Sequence, residues 1–471
     1  MNIMLSYPNL KWSKWNRRTA WSIHPYNLCL LGAMVEKKHD VEIIDGIMDD
    51  LSKENFAEVL IHNKPDILGV SVLTNEYGNA GLTATKIAKE VNPNIKTVMG
   101  GVHATSLPED VMKNPSVDYV VVGEGEHVFP KLCDFIEGKS EIPKGVFYRE
   151  DGKVKNTGRA DFIQNLDEIP YPAYHLIDFM KYATSFQRSS TDSPRAIPYA
   201  RTVTSRGCPN RCCFCEVATI SGKKVRFRSV DNILGELDWL KEDYGIKALQ
   251  FDDDNLTVNN KRAKDLFKGM IERKYDLKWN APALALYNLD EEMIALMSES
   301  GCQYVDVAME SGIERVLKDV IHKPLNLEYG KKMLETLKKY HIDTAVNFVI
   351  GFPGETWNEI RRSLKVAEDI DVDYIKIAIA TPLPNTELYN IAKEKGYLED
   401  GFDFNNYLWG RGWIKTDEFT PNDLKVLRTY EWDRINFTNT EKKKNIARMM
   451  GVTDKELEEI RKFNLKSVHE I

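Results

Sequence analysis

The chain has 471 residues, 42% of them hydrophobic and 29% charged, a length that exceeds one ordinary core and argues for two or three domains. Its 64 basic and 71 acidic residues leave a net charge of −7, which excludes a global electrostatic pull toward nucleic acid or anionic membrane. No apolar run approaches the roughly 20 residues that span a bilayer, and the N-terminal "MNIMLSYPNLKW" lacks the basic stretch and apolar core of a signal peptide, so a cytoplasmic protein is expected.

Residues 1–138 read as an α/β domain. Strand-like runs at "NIMLSY" (2–7), "VEIID" (41–45), "ILGVSV" (67–72), "KTVMG" (96–100) and "DYVVVG" (118–123) alternate with helical patterns near 27–38, 53–63, 79–91, 107–114 and 127–137. Such alternation predicts a parallel sheet covered on both faces. Five strands in this grain suggest the doubly wound, Rossmann-like order 2-1-3-4-5, with ligands bound beyond the C-terminal strand ends. The loops at those ends are "TNEYG", "GGVHATS" and "GEGE". Their glycines allow close backbone approach to a ligand; ordinary turn chemistry is the alternative reading. No G-x-G-x-x-G follows the first strand, which disfavours a dinucleotide.

Residues 139–198 read as a linker. It carries a hairpin about Asp151-Gly152, followed by loop-like "IPYPAY" and "RSSTDSPRAIP". Strand-like "YARTVTS" (199–205) then runs into "RGCPNRCCFCE", which holds four of the seven cysteines. The others, Cys29, Cys133 and Cys302, are scattered singly, which argues against a disulfide framework, and a metal site is expected. Cys208, Cys212 and Cys215 give C-x3-C-x2-C. Zinc is the main rival, but structural zinc is closed by four ligands and no His lies at a fitting spacing nearby. Three thiolates on a four-iron cluster leave one iron open to something else. The basic "KKVRFR" at Lys223–Arg228 is expected to be a solvated face.

Further strands are expected at 246–252, 278–284, 304–310, 344–351 and 374–380, with amphipathic helices between them. With "YARTVTS" they make a partial (β/α)6 barrel over 199–396, and sites in barrels gather at C-terminal strand ends. Polar residues recur there: Asp252-Asp253-Asp254, Glu310-Ser311 and Gly351 through Glu355. Taken singly, they read as helix caps. Residues 397–471 are expected to form a mostly helical lid over the barrel mouth, with helices at 421–449 and 453–464 opened by "FTPNDL" and "VTDKEL". Tyr407, Trp409, Trp413 and Phe419 suit either a substrate pocket or packing.

"GCPNRCCFC", with the aromatic Phe214 before its last cysteine, resembles the signature of the radical S-adenosylmethionine (radical SAM) superfamily. The resemblance implies that Cys208, Cys212 and Cys215 bind three irons of a [4Fe-4S] cluster, that SAM chelates the fourth, and that Cys213 is a bystander. It implies reductive cleavage of SAM to methionine and a 5′-deoxyadenosyl radical, fed by an electron donor of ferredoxin or flavodoxin type. Asp252, Asp253 and Asp254 stand where the superfamily usually has Gly-Gly-Glu, whose backbone receives the SAM amino group. Glu310 and Ser311 match its "ES" motif, "NFVIGFPGE", with Asn347 and Gly351, matches the glycine motif beside adenine, and "TPLPNTELY" (381–389) resembles the sixth-strand end.

The front stretches "HPYNLCLLGAMVEKKHDVEIIDG", "GGVHATSLPEDV" and "VDYVVVGEGEHVF" are similar to those of the cobalamin-binding radical SAM family, and this resemblance covers roughly residues 1–400. It implies cobalamin contacts from Thr74, Asn75 and Glu76, from Gly100, Gly101, Val102 and His103, and from Gly123, Glu124 and Glu126. The D-x-H-x-x-G loop that ligates cobalt in other cobalamin enzymes is missing, so the family reading makes His103 a contact to the corrin or its tail. The commonest chemistry the resemblance implies is methylation of an unactivated carbon, or of phosphinate phosphorus, through methylcobalamin, on a small molecule, lipid or protein side chain. No catalytic side chain is named. The alternatives are cyclisation, ring contraction or oxidation with the same cofactors, and an RNA methylthiotransferase, whose front domain needs three cysteines where only Cys29 and Cys133 stand.

Overall fold

Runs of Val, Ile and Leu separated by amphipathic helices assemble into two main sheets, one in each of two units, mixed in the first and parallel in the second. The computed structural model describes residues 1–13, 24–185, 194–404 and 411–468. Unit 1 comprises Met1–Tyr182 with Glu216–Gly222 and Phe402–Leu408; unit 2 comprises Ala183–Cys215, Lys223–Gly401 and Trp409–Ile471. Among the described residues no helix is long and apolar enough to cross a membrane.

In unit 1 the strands are β1 (Asn2–Tyr7), β2 (Asp40–Asp45), β3 (Ile67–Val72), β4 (Lys96–Gly100), β5 (Tyr119–Val121), β6 (Val146–Glu150) and β7 (Lys153–Asn156). They lie in the order β2-β1-β3-β4-β5-β6-β7. The first five are parallel in the expected order, and β3 is buried at all of its positions because neighbours cover both its edges and faces. The hairpin at Asp151-Gly152 does not stand alone in a linker: β6 pairs antiparallel with β5 and extends the sheet. Both turn residues have positive φ (51° and 74°), which the tight two-residue connection requires. The helices are α1 (Tyr26–Val35), α2 (Lys53–Asn63), α3 (Gly78–Val91), α4 (Gly101–Ser106), α5 (Pro108–Met112), α6 (Gly125–Ile136), α7 (Phe179–Ala183), which runs to the unit's edge, and α8 (Val217–Ile220). The stretch "GGVHATS" expected as loop is therefore mostly helix α4.

Unit 2 holds β8 (Tyr199–Thr202), β9 (Ser205–Arg206), β10 (Arg226–Phe227), β11 (Ala248–Phe251), β12 (Lys278–Leu284), β13 (Cys302–Glu310), β14 (Asp343–Ile350) and β15 (Tyr374–Ile379). Its main sheet is all parallel, ordered β15-β14-β13-β12-β11-β8, the six strands expected. The helices are α9 (Val230–Tyr244), α10 (Asn260–Glu272), α11 (Glu291–Glu299), α12 (Leu327–Lys339), α13 (Trp357–Asp369), α14 (Glu387–Glu394), α15 (Pro421–Phe437), α16 (Thr440–Met450) and α17 (Asp454–Ser467).

Two expectations change in unit 2. The single helix expected over 421–449 is two, because the Asn439 side chain caps a fresh N-terminus through Glu441 N and Lys442 N. The "KKVRFR" stretch is a solvated face only at its start: Lys223 and Lys224 are exposed, but Arg226 and Arg228 are 4% and 8% exposed. Arg228 Nη1 lies 2.6 Å from buried Glu236, so its charge is matched inside the fold. Trp413 and Phe419 are buried, while Tyr407 and Trp409 lie outside the described residues.

Candidate functional site

The cysteine loop follows β8 and β9 and is braced from behind by the aspartate run at the end of β11. Asp254 Oδ2 accepts the Gly207 N–H at 2.8 Å, directly before Cys208. Asp253, 3% exposed, accepts from Thr204 N and Thr204 Oγ1 and from the Ser205 hydroxyl. Burial raises its carboxyl, and those three donors oppose the rise. Asp252 pairs with Arg201 and accepts from Gln250 Nε2. All three side chains therefore fix the lead-in to the cysteines and the strand ends, which leaves the backbone of the run as the part with contacts to offer a ligand.

Cys208 and Cys212 are half-buried and Cys215 is exposed, whereas Cys213 is 4% exposed. Cys213 is stitched into the protein: its N–H donates to Ile321 O at 3.0 Å, and its carbonyl accepts from Leu388 N at 2.9 Å. Burial pushes its thiol up to about 12. These features suit a spare cysteine and leave the other three accessible. Phe214 packs its ring 5.6 Å from that of Phe352, so the cysteine motif meets the β14 glycine motif. At that motif Gly351 has φ +90°, and a side chain there would strike Leu424 of α15. Glu355 turns back to accept from Gly351 N and Phe352 N. Asn347 is half-buried on β14, in register between Ala308 and Lys376.

Glu310 ends β13 with φ +66°, a left-handed conformation that costs a non-glycine residue energy and marks functional positions. Its carboxylate meets Lys323 Nζ at 3.1 Å, with side-chain exposures of only 8% and 7%. Ser311 is fully buried; its hydroxyl accepts from Ile313 N and shapes the turn, so it is not presented to a ligand. Lys323 is a residue the sequence reading missed. Its charge draws both Cys208 and Cys212 downward, against the burial that raises them. Asn210 and Tyr287 were also missed: Asn210 Nδ2 donates to Cys208 Sγ at 3.3 Å and to the Tyr287 hydroxyl. Burial holds the Tyr287 phenol up at about 12. Asn210 was legible inside the motif; Lys323 and Tyr287 arrive by tertiary folding and carry no sequence signal.

In unit 1 the expected residues gather at the C-terminal strand ends. Gly101 has φ +87°, and a Cβ there would lie 2.6 Å from Val72 O, so the chain passes against β3 with no room for a side chain. Gly123, also at +87°, faces open space, and Gly100 has nothing nearer than 4.0 Å. Thr74 Oγ1, Asn75 Oδ1 and both ring nitrogens of His103 are buried without a hydrogen-bond partner. His103 is 0% exposed, and burial pushes its imidazole down to about 4, keeping it neutral. Buried polar groups left this way are normally satisfied by a ligand or water. Open glycines beside orphaned donors and acceptors suit a large ligand edged with amides, as a corrin is. Not every expected residue is free for it: Glu124 Oε2 accepts Ile163 N at 2.7 Å, and Glu126 is 7% exposed within α6. Val102 is half-buried on α4, and Glu76 lies in the turn after β3.

A residue beyond the cysteine motif joins this set. Glu216, in unit 1, accepts Asn75 Nδ2 at 2.9 Å and Ser106 Oγ at 2.8 Å. Burial lifts its carboxyl to about 7, with both bonds pulling the other way.

Comparison with known proteins agrees with both domains. Residues 18–133 match the B12 binding domain and residues 202–367 the Radical SAM superfamily. The chain is 37% identical over 408 residues to an uncharacterised methyltransferase of Pyrococcus horikoshii, covering 86% of each. It is 30% identical over 412 residues to the cytidylyl-2-hydroxyethylphosphonate methyltransferase of Streptomyces wedmorensis, covering 79% of this chain and 76% of that one. An anaerobic magnesium-protoporphyrin IX monomethyl ester cyclase of Rubrivivax gelatinosus is 28% identical, with 83% and 70% covered. Two solved structures share the fold: the radical SAM methyltransferase TsrM from Kitasatospora setae (TM-score 0.69, 18% identity, 85% of this chain and 79% of that one) and the cobalamin-dependent radical enzyme OxsB (0.73, 17%, 98% and 71%). The chain thus belongs to the cobalamin-binding radical SAM family, enzymes of the methyltransferase type that use a [4Fe-4S] cluster, SAM and cobalamin.

Proposed function

We propose that the enzyme methylates an unactivated carbon of a small polar molecule held against the inner face of the unit 2 sheet. The observation that carries this reading is the polarity of that face. Along β13, Val305, Val307 and Met309 pack into the core, while Asp306 and Glu310 fall on the opposite parity. Asp306 is 2% exposed and pairs with Lys376 Nζ at 2.8 Å across the sheet. Gln250, Asp252 and Arg201 continue the polar lining on β8 and at the end of β11. Parallel strands covered on both faces are ordinarily apolar throughout. A charge-paired lining suits a polar acceptor better than an acyl chain.

Within this reading Cys208, Cys212 and Cys215 hold the cluster, and Lys323 with Glu310 faces the charged head of SAM. The unit 1 strand-end loops hold cobalamin through Thr74, Asn75 and His103, with Gly100 and Gly123 leaving room. Bound there, the cluster with SAM supplies radical hydrogen abstraction and cobalamin supplies the methyl group. The chain's own part is to orient and to exclude water: the aspartate run fixes the cysteine loop, Phe214 and Phe352 form a dry wall beside it, and the Asp306–Lys376 pair orients the acceptor. A low-potential protein donor of ferredoxin or flavodoxin type supplies electrons.

The test uses the anaerobically reconstituted enzyme, a chemical reductant and SAM labelled in its methyl group, incubated with polar and lipid fractions of a cell extract. Label in a polar product, with S-adenosylhomocysteine and 5′-deoxyadenosine both formed, is the expected result. Label in the lipid fraction would overturn the substrate class. 5′-Deoxyadenosine formed with a modified, unlabelled product and no S-adenosylhomocysteine would favour the cyclising or oxidising chemistry of which the 28% identical cyclase is an example.

A further inference from the structure

The cysteine motif ends at Cys215, and the next seven residues, Glu216–Gly222, belong to unit 1. This excursion is built in at both ends. Its helix α8 packs against α4, the helix that carries His103. At its far end, Gly222 sits so close under Phe162 that a Cβ would lie 2.9 Å from the ring, and Arg159 donates to Thr219 O. Its first residue, Glu216, uses one carboxyl oxygen for Ser106 of α4 and the other for Asn75 of the turn after β3. Asn75 is 1% and Ser106 5% exposed.

The bond to Asn75 fixes more than a loop. As a carboxylate Glu216 can only accept, so it takes the amide nitrogen and sets which way the Asn75 amide faces. The nitrogen is consumed, and Oδ1 is left buried with no partner, among the orphaned atoms of Thr74 and His103. An orientation that leaves an acceptor unpaired is costly unless a donor arrives, and the amide groups that edge a corrin are donors.

We propose that Glu216 is a positioning residue that sets Asn75 to present its Oδ1 to the amide edge of cobalamin and, being bonded directly to Cys215, makes cobalamin binding and cluster assembly depend on one another. This rests on the reading of Cys215 as a cluster ligand and of the unit 1 loops as the cobalamin site. Coupling of this kind is reciprocal: whatever factor the cluster adds to cobalamin affinity, cobalamin adds to cluster retention.

The experiment measures hydroxocobalamin affinity by equilibrium dialysis in the anaerobic full-length protein, before and after cluster reconstitution, for wild type, Glu216→Met, Glu216→Ala and Ser106→Ala. It also measures the rate at which a chelator strips iron, with and without cobalamin. The Glu216 variants are expected to bind cobalamin about tenfold more weakly in the cluster-free state, the equivalent of one good hydrogen bond. In wild type the cluster tightens cobalamin and cobalamin slows iron loss by matching factors; in both Glu216 variants those factors fall to one. Ser106→Ala keeps the Asn75 bond and so retains most of the affinity. The Met variant keeps the length of the side chain and preserves the fold if the Ala variant does not, and it offers Asn75 Nδ2 no acceptor, so the amide is no longer held in place. Wild-type affinity and wild-type coupling in Glu216→Met would overturn the proposal. A wild-type protein that takes up no cobalamin, or a Cys215→Ala variant that assembles a normal cluster, would instead overturn the site reading beneath it.

Discussion

Replacing Lys323 by Met is the sharpest probe of the unit 2 site. Methionine keeps the length of the aliphatic stem and removes only the ammonium. The partner Glu310, 3.1 Å away and 8% exposed, is then a buried carboxylate without its cation. Removing one member of a buried pair costs about 3–5 kcal/mol, because the survivor keeps its desolvation penalty and loses its compensation. Glu310 also sits at φ +66°, a conformation that stores of the order of 1–3 kcal/mol and persists only where surrounding contacts hold it. Urea unfolding of the cluster-free protein should therefore show Lys323→Met and Glu310→Gln each losing about 3–5 kcal/mol. The double variant, with no charge left unpaired, should recover to within about 1–2 kcal/mol of wild type. In the reconstituted enzyme, Lys323→Met should bind SAM at least about tenfold more weakly. Single losses that simply add in the double variant, or an unchanged SAM affinity, would refute this role of the Lys323–Glu310 pair.

Three other predictions follow from the same geometry. Cys213→Ala should keep the full iron content and the cluster's EPR signal, whereas alanine at Cys208, Cys212 or Cys215 should abolish both; iron analysis after reconstitution reads this directly. Asn210→Ala removes an N–H···S bond to Cys208, and such bonds favour the reduced cluster. Its midpoint potential should fall by roughly 40 mV, the one-electron equivalent of about 1 kcal/mol, and an EPR-monitored titration showing no fall would remove Asn210 from this role. Burial lifts the Glu355 carboxyl from 4.5 to about 7, so the folded state binds its proton more tightly than the unfolded chain does. Stability therefore falls as pH rises from about 4.5 through 7, by up to about 3 kcal/mol. Glu355→Gln should be the more stable protein above pH 7, with the advantage vanishing below pH 5 in parallel thermal melts.

What was legible in the sequence was whatever is periodic or local. The β-branched runs of both sheets, their order and the C-x3-C-x2-C spacing needed no tertiary information. Helix α4 escaped because "GVHATS" is a single turn and a half with no apolar stripe; it is helical because Gly101 alone tolerates the turn against β3. Arg226 and Arg228 were misjudged because charge runs are usually solvated, and nothing local announces that Glu236 waits inside. The aspartate run was found by position, but its side chains serve the cysteine loop through Thr204, Ser205 and Gly207, contacts made some fifty residues away in the chain. Lys323, Tyr287 and Glu216 share one reason for having been missed. Each acts through a partner that only the folded chain brings near.

The C-terminal helices show the same dependence on tertiary context, and they tie the tail to the site. The unit 2 sheet does not close, since β15 and β8 are its two ends, and an open parallel edge exposes unpaired backbone groups. Helix α15 answers that edge. Asn436 Oδ1 accepts the Ile375 N–H and its Nδ2 donates to Ile375 O, both at 2.9 Å, as a neighbouring strand would. Arg428 Nε adds a bond to Ile377 O, and Trp432 Nε1 donates to the Tyr374 hydroxyl. The first turn of the same helix brings Leu424 against Gly351, the glycine beside Phe352 and hence beside Phe214 of the cysteine motif. One helix therefore both replaces the missing seventh strand and sets how much room the β14 glycine motif has. An incomplete barrel gains its stability from the element that also bounds its binding site, so the tail cannot vary in sequence independently of the chemistry it encloses.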